Sequence, residues 1–186
     1  IKPNDFALQL MASKQYNERF YIGAAVKFIQ SNYGLFRSSG IAMDIGFNYI
    51  DTTQQLQAAI VVKNMGTQLS TYGGAAKEEL PFDLQAGISK RLANAPLQFS
   101  LTAHNLHRLN ILYKDTAFNG AEGDLRTAGL LQKTFAHLIL ATQFYVNDKI
   151  EFSIGYNFLR RQDLNIFNAT SGLNGLTAGA GFLHKK

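Results

Sequence analysis

Residues 38–50 read SSGIAMDIGFNYI. Ile41, Met43, Ile45, Phe47 and Tyr49 alternate with Ala42, Asp44, Gly46 and Asn48. A period of two sustained over this run describes an extended strand with one apolar face and one small or polar face. The fold turns on what the apolar face touches: a protein core, or lipid.

The same alternation recurs along the chain. RFYIGAAVKFI (19–29) sets Phe20, Ile22, Ala24, Val26 and Phe28 against Tyr21, Gly23, Ala25 and Lys27. Comparable alternation runs through 55–64, 83–92, 96–105, 149–158 and 175–183. With a short strand near 6–11 and another at 135–146, the pattern predicts about nine strands. Helical periodicity is clear once, in DLRTAGLLQKTF (124–135), where Leu125, Ala128, Leu131 and Phe135 make a stripe. The chain is expected to be all-β and mostly antiparallel, because most connections are too short for crossovers.

Composition narrows the options. The chain is 46% hydrophobic but only 17% charged, against about 25% charged for ordinary soluble domains. Cysteine is absent, which excludes a disulfide framework, a thiolate metal site and a Cys nucleophile. No apolar run approaches the ~18 residues of a transmembrane helix. The net charge of +5 comes from Lys and Arg scattered along the whole length, so nothing argues for a nucleic-acid partner.

Connections near 12–18, 52–54, 93–96 and 147–149 read as short, and those near 31–37, 65–81, 105–133 and 161–172 as mostly longer. Short and long roughly alternate, as in outer-membrane barrels, where short turns and long loops lie at opposite ends. Soluble barrels and sandwiches also alternate. Their water-facing side, however, should carry many Lys, Glu and Thr. Here the second face is rich in Gly, Ala, Ser, Asn and Gln, with isolated charges. The expectation is a single incomplete domain over 1–186: an antiparallel transmembrane β-barrel with Ile41, Met43, Ile45, Phe47 and Tyr49 toward lipid, and one short helix in a long external loop. Strand parity adds the expectation of an internal or C-proximal portion of a longer chain.

LQAAIVVKNMGTQLSTY (56–72), LPFDLQAGISKRLANAPLQFSLTAHNLHRLNI (80–111) and EFSIGYNFLRRQDLNI (151–166) resemble the PorQ family of the type IX secretion system. That family is a branch of the outer-membrane barrels similar to the fatty-acid transporter FadL. The likeness spans roughly residues 20–184. It rests on a Pro before a strand, an Asn-Ala-Pro turn, a strand ending in HNLHR and the GYNFLRR strand. The resemblance implies a barrel of about fourteen strands in a Gram-negative outer membrane. It also implies a role without chemistry in the attachment complex. There, PorQ-like proteins hold the surface protein PorZ beside PorU and PorV, where cargo is joined to anionic lipopolysaccharide.

Candidate sites follow from the pattern. Asp44 is a carboxylate amid strands, which is costly unless paired. The expected registers place Lys27 and Lys63 diagonally across from it, forming a lumenal charge cluster. Its role is either to rigidify the interior or to serve permeation. Arg160 and Arg161 are expected to end a strand at the external rim. They either contact lipid phosphate or a partner, or one snorkels while the other meets Asp163. His104 and His107 fall on opposite faces of a strand, which disfavours joint metal ligation. Ser153 and His137 lie on neighbouring strands and could meet as part of a hydrolase set. No catalytic motif and no cofactor motif occurs.

Loops 66–80, 106–133 and 161–172 are the expected docking surface, with Thr67, Tyr72, Lys77, Tyr113, Phe118 and Arg126 among their residues. The leading expectation is therefore a non-catalytic barrel that tethers a surface protein. The alternative is a FadL-like channel for hydrophobic compounds, which would need an apolar tunnel.

Overall fold

Alternating side chains become strands whose neighbours in the sheet are neighbours in the chain. The structure, a computed structural model, describes residues 4–74, 76–112, 129–146, 149–164 and 173–182. Nine strands hydrogen-bond in chain order, β1 (Asn4–Gln15), β2 (Phe20–Tyr33), β3 (Phe36–Asp51), β4 (Leu56–Ser70), β5 (Asp83–Arg91), β6 (Leu97–Ala103), β7 (Leu138–Val146), β8 (Ile150–Asn157) and β9 (Leu176–Phe182). Among the described residues two short α-helices, α1 (Leu130–Ala136) and α2 (Phe158–Asp163), and a 3-10 turn at Tyr72–Gly74 lie between strands. The chain divides into two compact units, 1–86 and 87–186, described in turn.

In the first unit the registers place Ile22 opposite Phe47, Phe47 opposite Ile60, and Val26 between Leu10 and Met43. These side chains share one face. The other carries Gly23, Ala25, Lys27, Ala42, Asp44 and Gly46. The small-residue face is the covered one: Ala42 is 2% exposed, whereas Phe47 is 54% exposed. Phe6, Leu8, Leu10, Phe20, Ile22, Val26, Ile41 and Ile60 are also exposed on the apolar face. Burying a large apolar side chain contributes about 1.5–3 kcal/mol. Leaving this half-exposed row in water would therefore forfeit on the order of 10 kcal/mol, comparable with a domain's whole net stability.

The second unit repeats the arrangement. Phe99 stands opposite Thr142, and Thr142 opposite Ile154. Phe99 is 48% and Ile154 58% exposed, as are Leu140, Phe144 and Phe152 in part. Among the described residues no large side chain is fully buried. Among the described residues neither unit shows a sealed apolar interior.

Several boundaries differ from those expected. The 31–37 connection is not long: β2 and β3 pair up to Tyr33 opposite Phe36, leaving Gly34 and Leu35 as a two-residue turn. Gly34 takes φ of +60°, the left-handed conformation such hairpin turns require. The first short turn is likewise 16–19, because β1 runs to Gln15. β4 continues to Ser70, so Thr67 is a strand residue opposite Ile41, not a loop residue. In each case polar residues stand at successive positions past the apolar stretch: Ser31 and Asn32, Ser13 and Lys14, Thr67 and Gln68. Their side chains lose the period while the backbone goes on pairing. The helix expected at 124–135 is observed at Leu130–Ala136; 124–128 lie outside the described residues. Helix α2 was not expected. Asn157 caps it, its side-chain oxygen accepting from Arg160 N–H at 3.0 Å.

Candidate functional site: an ion pair at a strand bulge, and a two-helix platform

Asp44 is placed by an irregularity between β3 and β4. Met43 pairs with Met65 but Ile45 pairs with Val62, so Asp44 faces two residues, Lys63 and Asn64. This is a β-bulge, and Asn64 adopts φ of +56°, a conformation asparagine tolerates better than most. The bulge turns Asn64 N–H onto Asp44 Oδ1 at 2.8 Å. Lys27 lies diagonally across from Asp44, with Ala25 opposite Asp44 and Lys27 opposite Ala42. Its Nζ reaches Asp44 Oδ2 at 2.5 Å and donates to Asn64 Oδ1 at 3.1 Å.

Asn64 joins the cluster through the bulge, while Lys63, also facing Asp44, acts on the carboxylate through space. Among the described residues Lys63 forms no ion pair with Asp44 within 4 Å. The extra residue in β4 is the reason, since it brings the asparagine rather than the lysine onto the carboxylate. A sequence signal existed: Val62 and Met65 both belong to the apolar set yet stand three apart.

The segment after β4 comes back over this face. Gln68 Oε1 accepts from Glu78 N–H at 2.9 Å. The Leu80 side chain packs over Gly40, and Asn64 Nδ2 donates to Pro81 O at 2.9 Å. Residues 78–81 therefore run along the small-residue face of β3 and β4 down to the ion pair. They form a strap packed on this face. Tyr72 and Lys77 stay exposed at the turn that starts it, with the Tyr72 ring 6.1 Å from Tyr33. Tyr113, Phe118 and Arg126 lie outside the described residues.

At the opposite end of this unit, Asp51 closes β3 beyond the apolar stretch 41–49. It accepts from Gln54 N–H at 3.0 Å and Tyr49 Oη–H at 3.2 Å, and lies 3.5 Å from Arg19. The Gln54 bond foremost, with Arg19 beside it, holds its carboxyl below the usual range. A lowered folded-state pKa contributes stability above the unfolded value of about 3.9, lost as pH falls through the lowered one. The stability difference between pH 7 and pH 3 should accordingly shrink in Asp51→Asn. An unchanged difference in denaturant titrations would remove this role.

In the second unit, Arg160 and Arg161 sit on α2, not on a strand end. The strand stops at Asn157, one residue short of the expected 158, because Asn157 caps a helix that begins at Phe158. Neither Arg pairs with Asp163 within 4 Å among the described residues. The Phe158 ring stacks between Tyr156 (4.9 Å) and Phe135 of α1 (5.3 Å), joining the two helices into one platform. Gly175, at φ of +89°, lets α2 fold this close. A Cβ there would stand 2.5 Å from Asn157 O and 3.1 Å from Arg161 Cβ.

On the small-residue face of this unit, the Arg91 guanidinium lies 4.4 Å over the Tyr145 ring. The Tyr145 hydroxyl donates toward Gln143 Oε1 at 3.1 Å.

The possible hydrolase pair separates. Ser153 stands opposite Gln143, six residues along β7 from His137, which is about 20 Å at strand rise. His137 instead exchanges bonds with His104. His104 N–H donates to His137 O at 2.9 Å, and His137 Nδ1 meets His104 O at 2.8 Å. His107 lies past the end of β6 and is exposed. Among the described residues no three His, Cys, Asp or Glu cluster as metal ligands would.

No protein-family model matches the chain, and no curated protein sequence matches it.

Proposed function

We propose that this chain belongs to an outer-membrane β-barrel of the PorQ type, a non-catalytic anchor of the type IX secretion attachment complex. In this reading its loops hold a surface protein resembling PorZ, with PorU and PorV nearby. The observation that carries the membrane part is the exposed apolar face. Phe47, Phe99 and Ile154 are about half exposed, while Ala42, on the opposite face of β3 from Phe47, is buried. Hydrocarbon tails supply the missing contact, and a barrel satisfies its backbone strand to strand. The apolar run of β2, Phe20 to Phe28, is nine residues long, in keeping with the ~9–11 of a spanning strand. Anchoring then needs no catalytic group. Tyr72, Lys77 and the connections 105–133 and 161–172 present the docking surface.

The chain has no cysteine, which makes single-cysteine labelling a clean test. Cysteines at Phe47, Phe99 and Ile154, carrying a fluorophore, should be quenched by brominated lipid. Cysteines at Asn48, Ser100 and Ser153 should not. Equal quenching of both sets would refute the membrane reading. For the tether, the full-length barrel should be purified from gently solubilised outer membranes with and without 106–133. If the deletion leaves every co-purifying surface protein in place, the docking assignment fails.

A groove of about 300 Å³ on the first unit favours a second reading, a FadL-like channel for hydrophobic compounds. Its lining includes Met11, Ala12, Gly23 and Ala24 together with Gln9 and Asp44. The strap at 78–81 speaks for the tether, since it occupies the same face of the neighbouring strands. Uptake of a long-chain fatty acid into vesicles carrying the barrel would decide for the channel.

A further inference from the structure

The α1–α2 platform combines three features that neither helix has alone. It is apolar and open: Leu130 is 81% and Leu131 75% exposed, and Phe135 and Leu164 are exposed too. It is cationic: Lys133, Arg160 and Arg161 stand against the single acid Asp163 over 130–136 and 158–164. None of these cations has a carboxylate within 4 Å among the described residues. It is also continuous with the apolar face of the strands. Tyr156 stands opposite Leu140 and Leu176 on that face, and its ring leads through Phe158 to Phe135.

We infer that this platform is an in-plane binding surface for a phosphorylated glycolipid of the outer leaflet, with Leu130, Leu131 and Phe135 against acyl chains and Lys133, Arg160 and Arg161 on the phosphates. The inference rests on the membrane reading above. Its argument is charge complementarity together with continuity. A short helix with apolar residues on one side and basic ones on another lies at the headgroup boundary, where each part finds its own medium. Arg donates to phosphate in a bidentate fork, while long basic stems cover apolar surface. Gly175 fixes the geometry. Its missing Cβ lets the backbone of α2 at Arg161 settle against the start of β9. The register that makes Tyr156 outward-facing thus also sets the height of the cations above the apolar belt.

The test uses the full-length barrel in nanodiscs, titrated with bisphosphorylated lipid A and with the same lipid after removal of both phosphates. Wild type should bind the phosphorylated form at least tenfold more tightly. Lys133→Gln/Arg160→Gln/Arg161→Gln should lose most of that preference and leave binding of the dephosphorylated form unchanged. Gly175→Ala should weaken it in the same direction. No preference in wild type overturns the inference, and this measurement needs no variant to fold. A preference that survives the triple substitution overturns it as well. So does full competition by millimolar inorganic phosphate, or loss of a surface protein from the triple variant with lipid binding intact. Quenching of both cysteine sets alike would sink the membrane reading and this inference together. Normal quenching with no phosphate preference sinks this inference alone.

Discussion

Gly66→Ala is expected to destabilise the sheet by more than about 3 kcal/mol, beyond the usual range for an added methyl group. A Cβ at Gly66 would stand 2.0 Å from Ile41 O, 2.6 Å from Ala42 Cα and 2.9 Å from Ile41 C. All three are backbone atoms of the strand it pairs with, so no side chain can swing aside. Relief requires β3 and β4 to part directly above the bulge, which removes ladder bonds and unseats Asn64 from Asp44. Gly46→Ala is the control. Its new Cβ meets only Val61 Cγ2, at 3.6 Å, an ordinary contact, and it should cost less than about 1 kcal/mol. Folding in lipid vesicles against urea, read by heat-modifiable gel mobility, compares the two. If they fall within 1 kcal/mol of each other, the close approach of the strands at Gly66 is wrong.

The second large effect concerns Lys27 and Asp44. Their side chains are 18% and 19% exposed and meet at 2.5 Å. Removing one partner of a buried pair costs about 3–5 kcal/mol because the other charge is left uncompensated. The residual exposure here reduces that, and Lys27→Met should cost about 2 kcal/mol. Asp44→Asn keeps an oxygen for the Asn64 N–H, so it removes the charge without orphaning the bulge. The double variant Lys27→Met/Asp44→Asn should therefore be more stable than Lys27→Met alone, with a coupling of about 1–3 kcal/mol. Lys63→Met should cost clearly less than Lys27→Met, since Lys63 makes no ion pair with the carboxylate within 4 Å and acts on it only through space. A Lys63 effect as large as that of Lys27, in the same urea titrations, would contradict the geometry of the bulge.

The two units also show where sequence reading is strong. Strand number, strand type and the assignment of faces were all legible from 38–50 and its repeats, because side-chain period reports directly which residues share a side. Lys27 opposite the neighbour of Asp44 was legible for the same reason. What was not legible lies where that period is silent. Beyond Ile29 and Ile41 polar residues enter both faces, Gln30 to Asn32 and Arg37 to Ser39, so the hairpin at 34–35 read as a loop. Thr67 was misplaced by the same effect. Arg160 and Arg161 looked like a strand end because GYN alternates right up to Asn157, whose cap then starts α2. Ser153 and His137 looked adjacent because neighbouring strands say nothing about height, and only the register separates them.

The alternation of large apolar with small and polar residues, by itself, determined that this chain forms strands and that each strand has a greasy and a tight side. This holds locally, since successive Cβ atoms in an extended chain point opposite ways whatever surrounds them. The tertiary structure alone decided that Asn64 completes the Lys27–Asp44 pair, that 78–81 lies down over that face, and that α1 and α2 meet through Phe135 and Phe158. These contacts join residues distant in the chain. They depend on a one-residue bulge, a capped turn and a glycine without a Cβ, each of which shifts backbone position while leaving the side-chain pattern almost untouched.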